Sequence, residues 1–309
     1  MFPPDVVAFL AGPVLLPRAP VRTAHGSGSD SDSQYGRSDY LYGVYPVLLA
    51  LRAQKRKFKR LWVLRSSGGP STLEKKDYKA RLEILQRSEA LGIPTVMDIP
   101  KKSILDHYSG GRPHQGLVLK CSLPFVQKLQ ELPVPGRGAI WLALEGITDP
   151  MNLGSLLRSA AFFGVEGVIC EHGCAKYSAV AAKASAGAGE MVQLLRVSKL
   201  QSLLPRAKEQ GWCVVGAALP DPEIDVDFST LDEWLPQCDQ LEGVLLLLGP
   251  EGPGLRRRLK QLCDRLVGIS RVGDSGDGLD SLNAGVAAGV LLHGVRQALG
   301  PPRPAPAKV

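Results

Sequence analysis

Three short stretches hold the residue types from which a polar reaction site can be built. Asn152-x-Gly154-x-x-x-Arg158 joins an amide that can cap a helix to a cation further along the same helix. Gly249-Pro250-Glu251-Gly252-Pro253-Gly254 follows an apolar run that begins at Val244, and it places one carboxylate in a loop of glycines and prolines. Ser281-Leu282-Asn283 stands before a run of Ala, Gly and Val, so Ser281 or Asn283 can cap a helix that other backbone approaches closely. Unpaired N–H groups and two polar side chains at that helix start suit an uncharged or carboxylate-bearing ligand. Taken singly, each stretch has an ordinary reading: a capped core helix, a glycine loop after a strand, a solvated arginine.

The elements that must carry these residues alternate between helical and strand periodicity. Residues 45–53 and 73–91 read as helices, and 61–64, 94–97 and 116–120 as strands, which makes a small α/β domain over 39–121. Prolines 124, 133 and 135 mark 122–138 as a linker. Beyond it, 139–144 is a buried strand, 154–163 a helix and 167–170 the next strand, a βαβ start that predicts a mostly parallel sheet over 139–300. Residues 200–210 read as a helix, 213–217 as a strand, and the acidic, proline-interrupted 221–240 as a surface insertion. A dinucleotide fingerprint is absent, which argues against a nucleotide-dependent metabolic enzyme.

In this order the three polar stretches resemble the motifs of the SpoU-type RNA ribose 2′-O-methyltransferases of the SPOUT superfamily. The first motif matches Asn152, Gly154 and Arg158, the second Gly249, Glu251, Gly252 and Gly254, and the third Ser281, Leu282 and Asn283. The stretch from Lys183 to Ala188 and His114-Gln115-Gly116 are similar to the mitochondrial branch that modifies large-subunit rRNA. The resemblance spans roughly residues 40–295. It implies a trefoil-knot methyltransferase domain preceded by a small domain, like ribosomal protein L30, that grips RNA. It also implies S-adenosylmethionine as methyl donor, a homodimer, mitochondrial rRNA as substrate with guanosine as the target, and a location in the matrix. The same activity on tRNA or another rRNA, and a non-catalytic RNA-binding assembly factor, are the alternatives.

By this resemblance Arg158 lowers the pKa of the ribose hydroxyl or binds the neighbouring phosphate, with Asn152, Glu251, Ser281 and Asn283 arranging it. An adenine ring calls for an apolar slot with backbone donors and acceptors. Leu247, Gly249, Gly252, Ile269 and Leu282 supply one. Two departures stand out: Ile269-Ser270-Arg271 replaces the usual Ile-Pro-Met and opens a longer loop over 272–278, and Gly285 replaces a serine.

Composition agrees with an anionic partner, since the formal charge is +7, and no apolar span is long enough for a membrane. Lys55, Arg56, Lys57, Lys59 and Arg60, placed at the end of the first helix, serve either RNA phosphates or the helix dipole. Arg112, His114 and Gln115 can reach a base edge or ribose, and Lys183 lies in a small-residue segment suited to packing or to an RNA-facing loop. The six cysteines form no C-x-x-C pair and suit a reducing compartment, and Cys170, His172 and Cys174 lack a second ligand pair for zinc. Residues 1–38 read as a leader, basic in part but interrupted by acids and prolines, and 301–309 as a tail.

Overall fold

The computed structural model describes residues 22–23, 38–64, 75–271 and 281–302. Most of the expected leader, the end of the tail and all of the loop over 272–278 lie outside the described residues.

The chain builds two sheets. The smaller holds β2 (Ser38–Tyr42), β3 (Phe58–Leu64), β4 (Thr95–Ile99) and β5 (Leu117–Ser122) in the order β2-β5-β3-β4. Only the β3–β4 pair is parallel. Helix α1 (Val44–Ala53) buries Val44, Val47, Leu48 and Leu51, a spacing that lines one helical face, against this sheet beside α2 (Lys75–Ala90). A third helix, α3 (Lys102–Ser109), covers the opposite face through Leu105. Neither β2 nor α3 is signalled in the sequence.

The larger sheet adds β6 (Gln127–Glu131), β7 (Ala139–Leu144), β8 (Gly167–Glu171), β9 (Leu194–Val197), β10 (Trp212–Ala217), β11 (Phe228–Thr230), β12 (Gly243–Leu248) and β13 (Arg265–Gly268). Its order is β1-β6-β9-β8-β7-β12-β10-β13-β11, where β1 is the two-residue strand Arg22–Thr23. All neighbours run parallel except β1, which pairs antiparallel with β6. The expected linker therefore contains a strand of this sheet, and part of the expected leader lies on its edge.

Alternation along β7 and β12 sorts residues into two cores. Ile140, Leu142, Leu144, Val244, Leu246 and Leu248 face one, shared with α4 (Pro150–Phe162), α5 (Ala179–Ala184) and α9 (Ala284–Leu299). Trp141, Ala143, Leu245 and Leu247 face the other, shared with α6 (Leu200–Glu209) and α8 (Arg257–Lys260). Residues 221–240 are not a surface insertion. They form β11 and α7 (Leu231–Trp234) and bury Trp234 and Cys238, whose apolar spacing is masked in the sequence by acids and prolines.

Helix α4 starts earlier than the sequence predicts. Asp149 is its N-cap, accepting from the Met151 N–H, and Pro150 fills the first turn. Asn152 is thereby inside the helix, with its amide available to reach across. Gly154 is required two residues on, because a Cβ there would stand 2.5 Å from Ala184 Cβ and 2.6 Å from the Ala181 carbonyl.

The two sheets are docked by charge. Arg56 is fully buried and gives Glu190, from the other side of the junction, two bonds at 2.9 and 2.6 Å. It also reaches Asp39 at 3.1 Å. Lys55 donates to the Val192 carbonyl at 3.2 Å. Arg56 thus joins the domains instead of facing RNA, and Lys55, though exposed, adds a bond at the same junction, a correction to the reading of 55–60 as one basic patch. Phe58, Lys59 and Arg60 belong to β3, not to a helix end.

Candidate active site

Polar residues from three distant stretches meet where α9 begins. Asn283 is the N-cap of α9, its Oδ1 accepting from the Gly285 N–H at 3.0 Å. Its Nδ2 donates to Asn152 Oδ1 at 3.1 Å and to Glu251 Oε1 at 2.5 Å. Asn152 Nδ2 also donates to Glu251 Oε1, at 3.1 Å, and the Ala284 backbone N–H does so at 3.0 Å. One carboxylate oxygen at a helix N-terminus thus knits α4, the loop over 249–255 and α9 into a single junction.

The loop turns back on itself. A Cβ on Gly249 would stand 2.5 Å from Gly254 C and Leu255 N, and Gly252 has φ +83°. It borders a cavity of about 560 Å³ at the carboxyl ends of β10, β12 and β13, the edge where parallel sheets commonly bind ligands. Ala217, Leu248, Val267, Ile269, Leu282 and Leu291 give the wall its apolar character, with Gly249, Glu251, Gly252, Ser270 and Ser281 among them. Lys260 also lines the cavity and pairs with Asp221 at 3.2 Å.

Four of the five expected donor-site residues, Gly249, Gly252, Ile269 and Leu282, therefore share one wall. Leu247 does not: its side chain points into the second core, and Leu248 takes its place. Ser281 lines the cavity, apart from the Asn152–Glu251–Asn283 junction.

The profile of the SpoU rRNA Methylase family matches residues 139–293, and that of RNA 2'-O ribose methyltransferase substrate binding matches 40–126. The chain belongs to the SpoU rRNA methylase family. It is 34% identical over 269 residues to "rRNA methyltransferase 1, mitochondrial" of Homo sapiens, covering 84% of this chain and 72% of that protein. It is 30% identical over 267 residues to "23S rRNA (guanosine-2'-O-)-methyltransferase RlmB" of Escherichia coli (strain K12), covering 84% and 99%. Among solved structures, the AdoMet-bound rRNA methyltransferase from Sinorhizobium meliloti matches with a TM-score of 0.63 at 20% identity, over 88% of this chain and 91% of that one. The SpoU methylase is an RNA methyltransferase, built on a mostly parallel α/β sheet with a substrate-binding domain in front.

Arg158 stands apart from the junction and the cavity. Six residues beyond Asn152 on α4, it is about 9 Å further along the axis and on a different face. It is exposed, with no hydrogen bond or ion pair among the described residues. Within one chain Arg158 makes no hydrogen bond to Asn152, Glu251 or Asn283. The face it occupies is apolar: Met151 and Phe162, spaced to share that face, are 60% and 63% exposed, and Val286 and Val290 on the adjoining α9 are exposed as well. Gly285 explains one departure from the family pattern, since a Cβ there would collide with Ser155 on α4.

The expected RNA contacts divide. His114 is buried; its ring bonds Asp106 at 3.2 Å and takes the Gly116 N–H at 2.9 Å, so it shapes the loop and does not reach a base. Burial lowers its pKa against the pull of Asp106. Gln115, at φ +51°, accepts from Lys183 Nζ at 2.7 Å and from the Val44 N–H, and its carbonyl accepts from Arg81. Gln115 and Lys183 therefore latch the domains to each other, and burial lowers the Lys183 pKa. Lys57, Lys59, Arg60 and Arg112 remain at the surface.

No group of three His, Cys, Asp or Glu side chains able to hold a metal occurs among the described residues. Sequence reasoning passed over Glu145, Glu171 and Arg256. A carboxylate directly after six buried residues, as Glu145 is after β7, was the available signal.

Proposed function

We propose that the protein works as a homodimer that moves a methyl group from S-adenosylmethionine to the 2′-hydroxyl of a guanosine ribose in mitochondrial large-subunit rRNA, in the mitochondrial matrix. The observation that carries this reading is the Asn152–Glu251–Asn283 junction at the rim of an apolar cavity, in a chain with SpoU family motifs. The names of the human and bacterial relatives support rRNA, mitochondria and guanosine.

The cavity volume falls in the range of sites for ligands of the donor's size, and its glycine-rich rims offer backbone groups to an adenine and a ribose. Leu248, Gly249, Gly252, Ile269 and Leu282 would hold it. When bound, S-adenosylmethionine supplies a methyl group already made electrophilic by its sulfonium, so the protein's work is mainly positioning.

Glu251 is committed to three N–H donors through one oxygen and serves as an anchor. As the ribose oxygen takes the methyl group its proton passes to solvent water, and a cation that keeps its own proton, as arginine does, stabilises the developing alkoxide. Arg158 fills that role from the partner chain: the apolar face around Met151, Phe162, Val286 and Val290 is the dimer contact, and burying it carries each Arg158 toward the other protomer's junction. The family's trefoil knot belongs to this reading of the methyltransferase domain.

The test is transfer of labelled methyl from S-adenosylmethionine to transcripts of mitochondrial large-subunit rRNA, small-subunit rRNA and tRNA, followed by mapping of ribose methylation. One guanosine in the large-subunit transcript is expected to be modified. Modification of tRNA alone would reassign the substrate. RNA binding with no transfer would make the protein an assembly factor.

A further inference from the structure

The loop over 249–255 carries Glu251 and walls the cavity, yet it contains three glycines, two of them at positive φ, and two prolines. Little in its own sequence fixes its path. Glu145, the residue after β7, fixes both ends. Its backbone N–H donates to the Leu248 carbonyl at 2.9 Å, where the loop begins. Its carboxylate accepts the Arg256 backbone N–H at 2.9 Å through Oε2, and the Arg256 Nε–H through Oε1, where the loop ends.

Nη2 of the same guanidinium donates to Glu171 Oε2 at 2.5 Å, at the end of β8. The second oxygen of Glu171 is taken by the Leu200 N–H at the start of α6. The Glu145 and Glu171 side chains are only 4% and 8% exposed, whereas that of Arg256 is 64% exposed. Two buried carboxylates thus share one surface guanidinium. A planar guanidinium holds its donors in a fixed fork that can serve both, whereas a lysine offers rotating donors from a single point. None of the three lines the cavity.

We propose that Glu145 and Arg256 are positioning residues for the methyl donor, a clasp that closes the loop over 249–255 and sets both the cavity wall and the place of Glu251. This rests on the reading of the cavity as the donor site. The pairing of β7 with β8 and β12 uses neither the Glu145 carboxylate nor Arg256, so the effect of removing the clasp is expected at the loop.

The experiment compares Arg256→Gln, Arg256→Lys and Glu145→Gln with the full-length protein, and with Arg258→Gln as an exposed charge-matched control. Two quantities are read: the calorimetric Kd for S-adenosylmethionine, and amide hydrogen exchange across 249–256 without donor. Arg256→Gln is expected to weaken donor binding about tenfold or more and to speed exchange in the loop, with Arg256→Lys and Glu145→Gln intermediate and Arg258→Gln unchanged. Donor affinity within about twofold of the parent, with unchanged loop exchange, would overturn the clasp. Should the parent itself bind no S-adenosylmethionine, the donor reading fails, and the exchange measurement still decides whether the clasp closes the loop.

Discussion

Arg56 and Glu190 meet at 2.6 Å with both side chains removed from solvent, one from the substrate-binding domain and the other from the methyltransferase domain. Their contact packs the two domains against each other. Arg56→Ala would leave Glu190 buried without its main partner, at a cost of about 3–5 kcal/mol. Chemical denaturation is expected to show that loss, whereas a surface RNA contact would leave the unfolding midpoint in place.

Arg296 closes the other end of the last helix. Its guanidinium donates to the carbonyls of Phe163, Gly164, Gly138 and Gly300 at 2.8 to 3.0 Å. Arg296→Ala unpairs several of these at once and is expected to destabilise the protein by about 2–4 kcal/mol, read as a lowered Tm.

Gly154→Ala tests the packing beneath Asn152. The added methyl meets Ala184 Cβ and the Ala181 backbone, which cannot yield as a flexible side-chain tip would. A loss of about 1–3 kcal/mol is expected, together with weaker methyl transfer as α4 shifts.

His114 gives the fold a pH dependence of defined sign. Burial holds its pKa below the ordinary value of 6.5, so the unfolded chain takes up the proton first as pH falls. Stability is therefore full above about pH 6.5 and declines as pH drops toward the folded-state pKa. His114→Gln should flatten that slope in denaturation curves collected between about pH 5 and 8, and a slope equal to the parent's would show that His114 is not its source.

Glu251 follows β12 and Asn283 precedes the small-residue face of α9, each a polar residue at the edge of an apolar run, and it was their order in the chain with Asn152, resembling the SpoU motifs, that joined them. Arg56 looked like its neighbours Lys57 and Lys59, because its burial is decided by Glu190, 134 residues away. His114 and Gln115 were misread for the same reason, their partners lying on other elements. Glu145 and Arg256 were passed over, since only the closure of the loop brings them together. Prolines and acids hid the strand and buried Trp234 within 221–240. Strand order was out of reach, since β12 lies between β7 and β10 through contacts that no local spacing encodes.

The most direct test of a site shared between two chains is complementation. Arg158→Ala and Asn283→Ala proteins, each expected to be a folded dimer without methyl transfer, are mixed under conditions that exchange subunits, and transfer to large-subunit rRNA is measured. Random pairing makes half of the dimers mixed, each with one intact site, so about a quarter of the parent activity is expected to return. If subunits exchange and no activity returns, Arg158 does not act across the dimer on the partner's Asn152–Glu251–Asn283 junction.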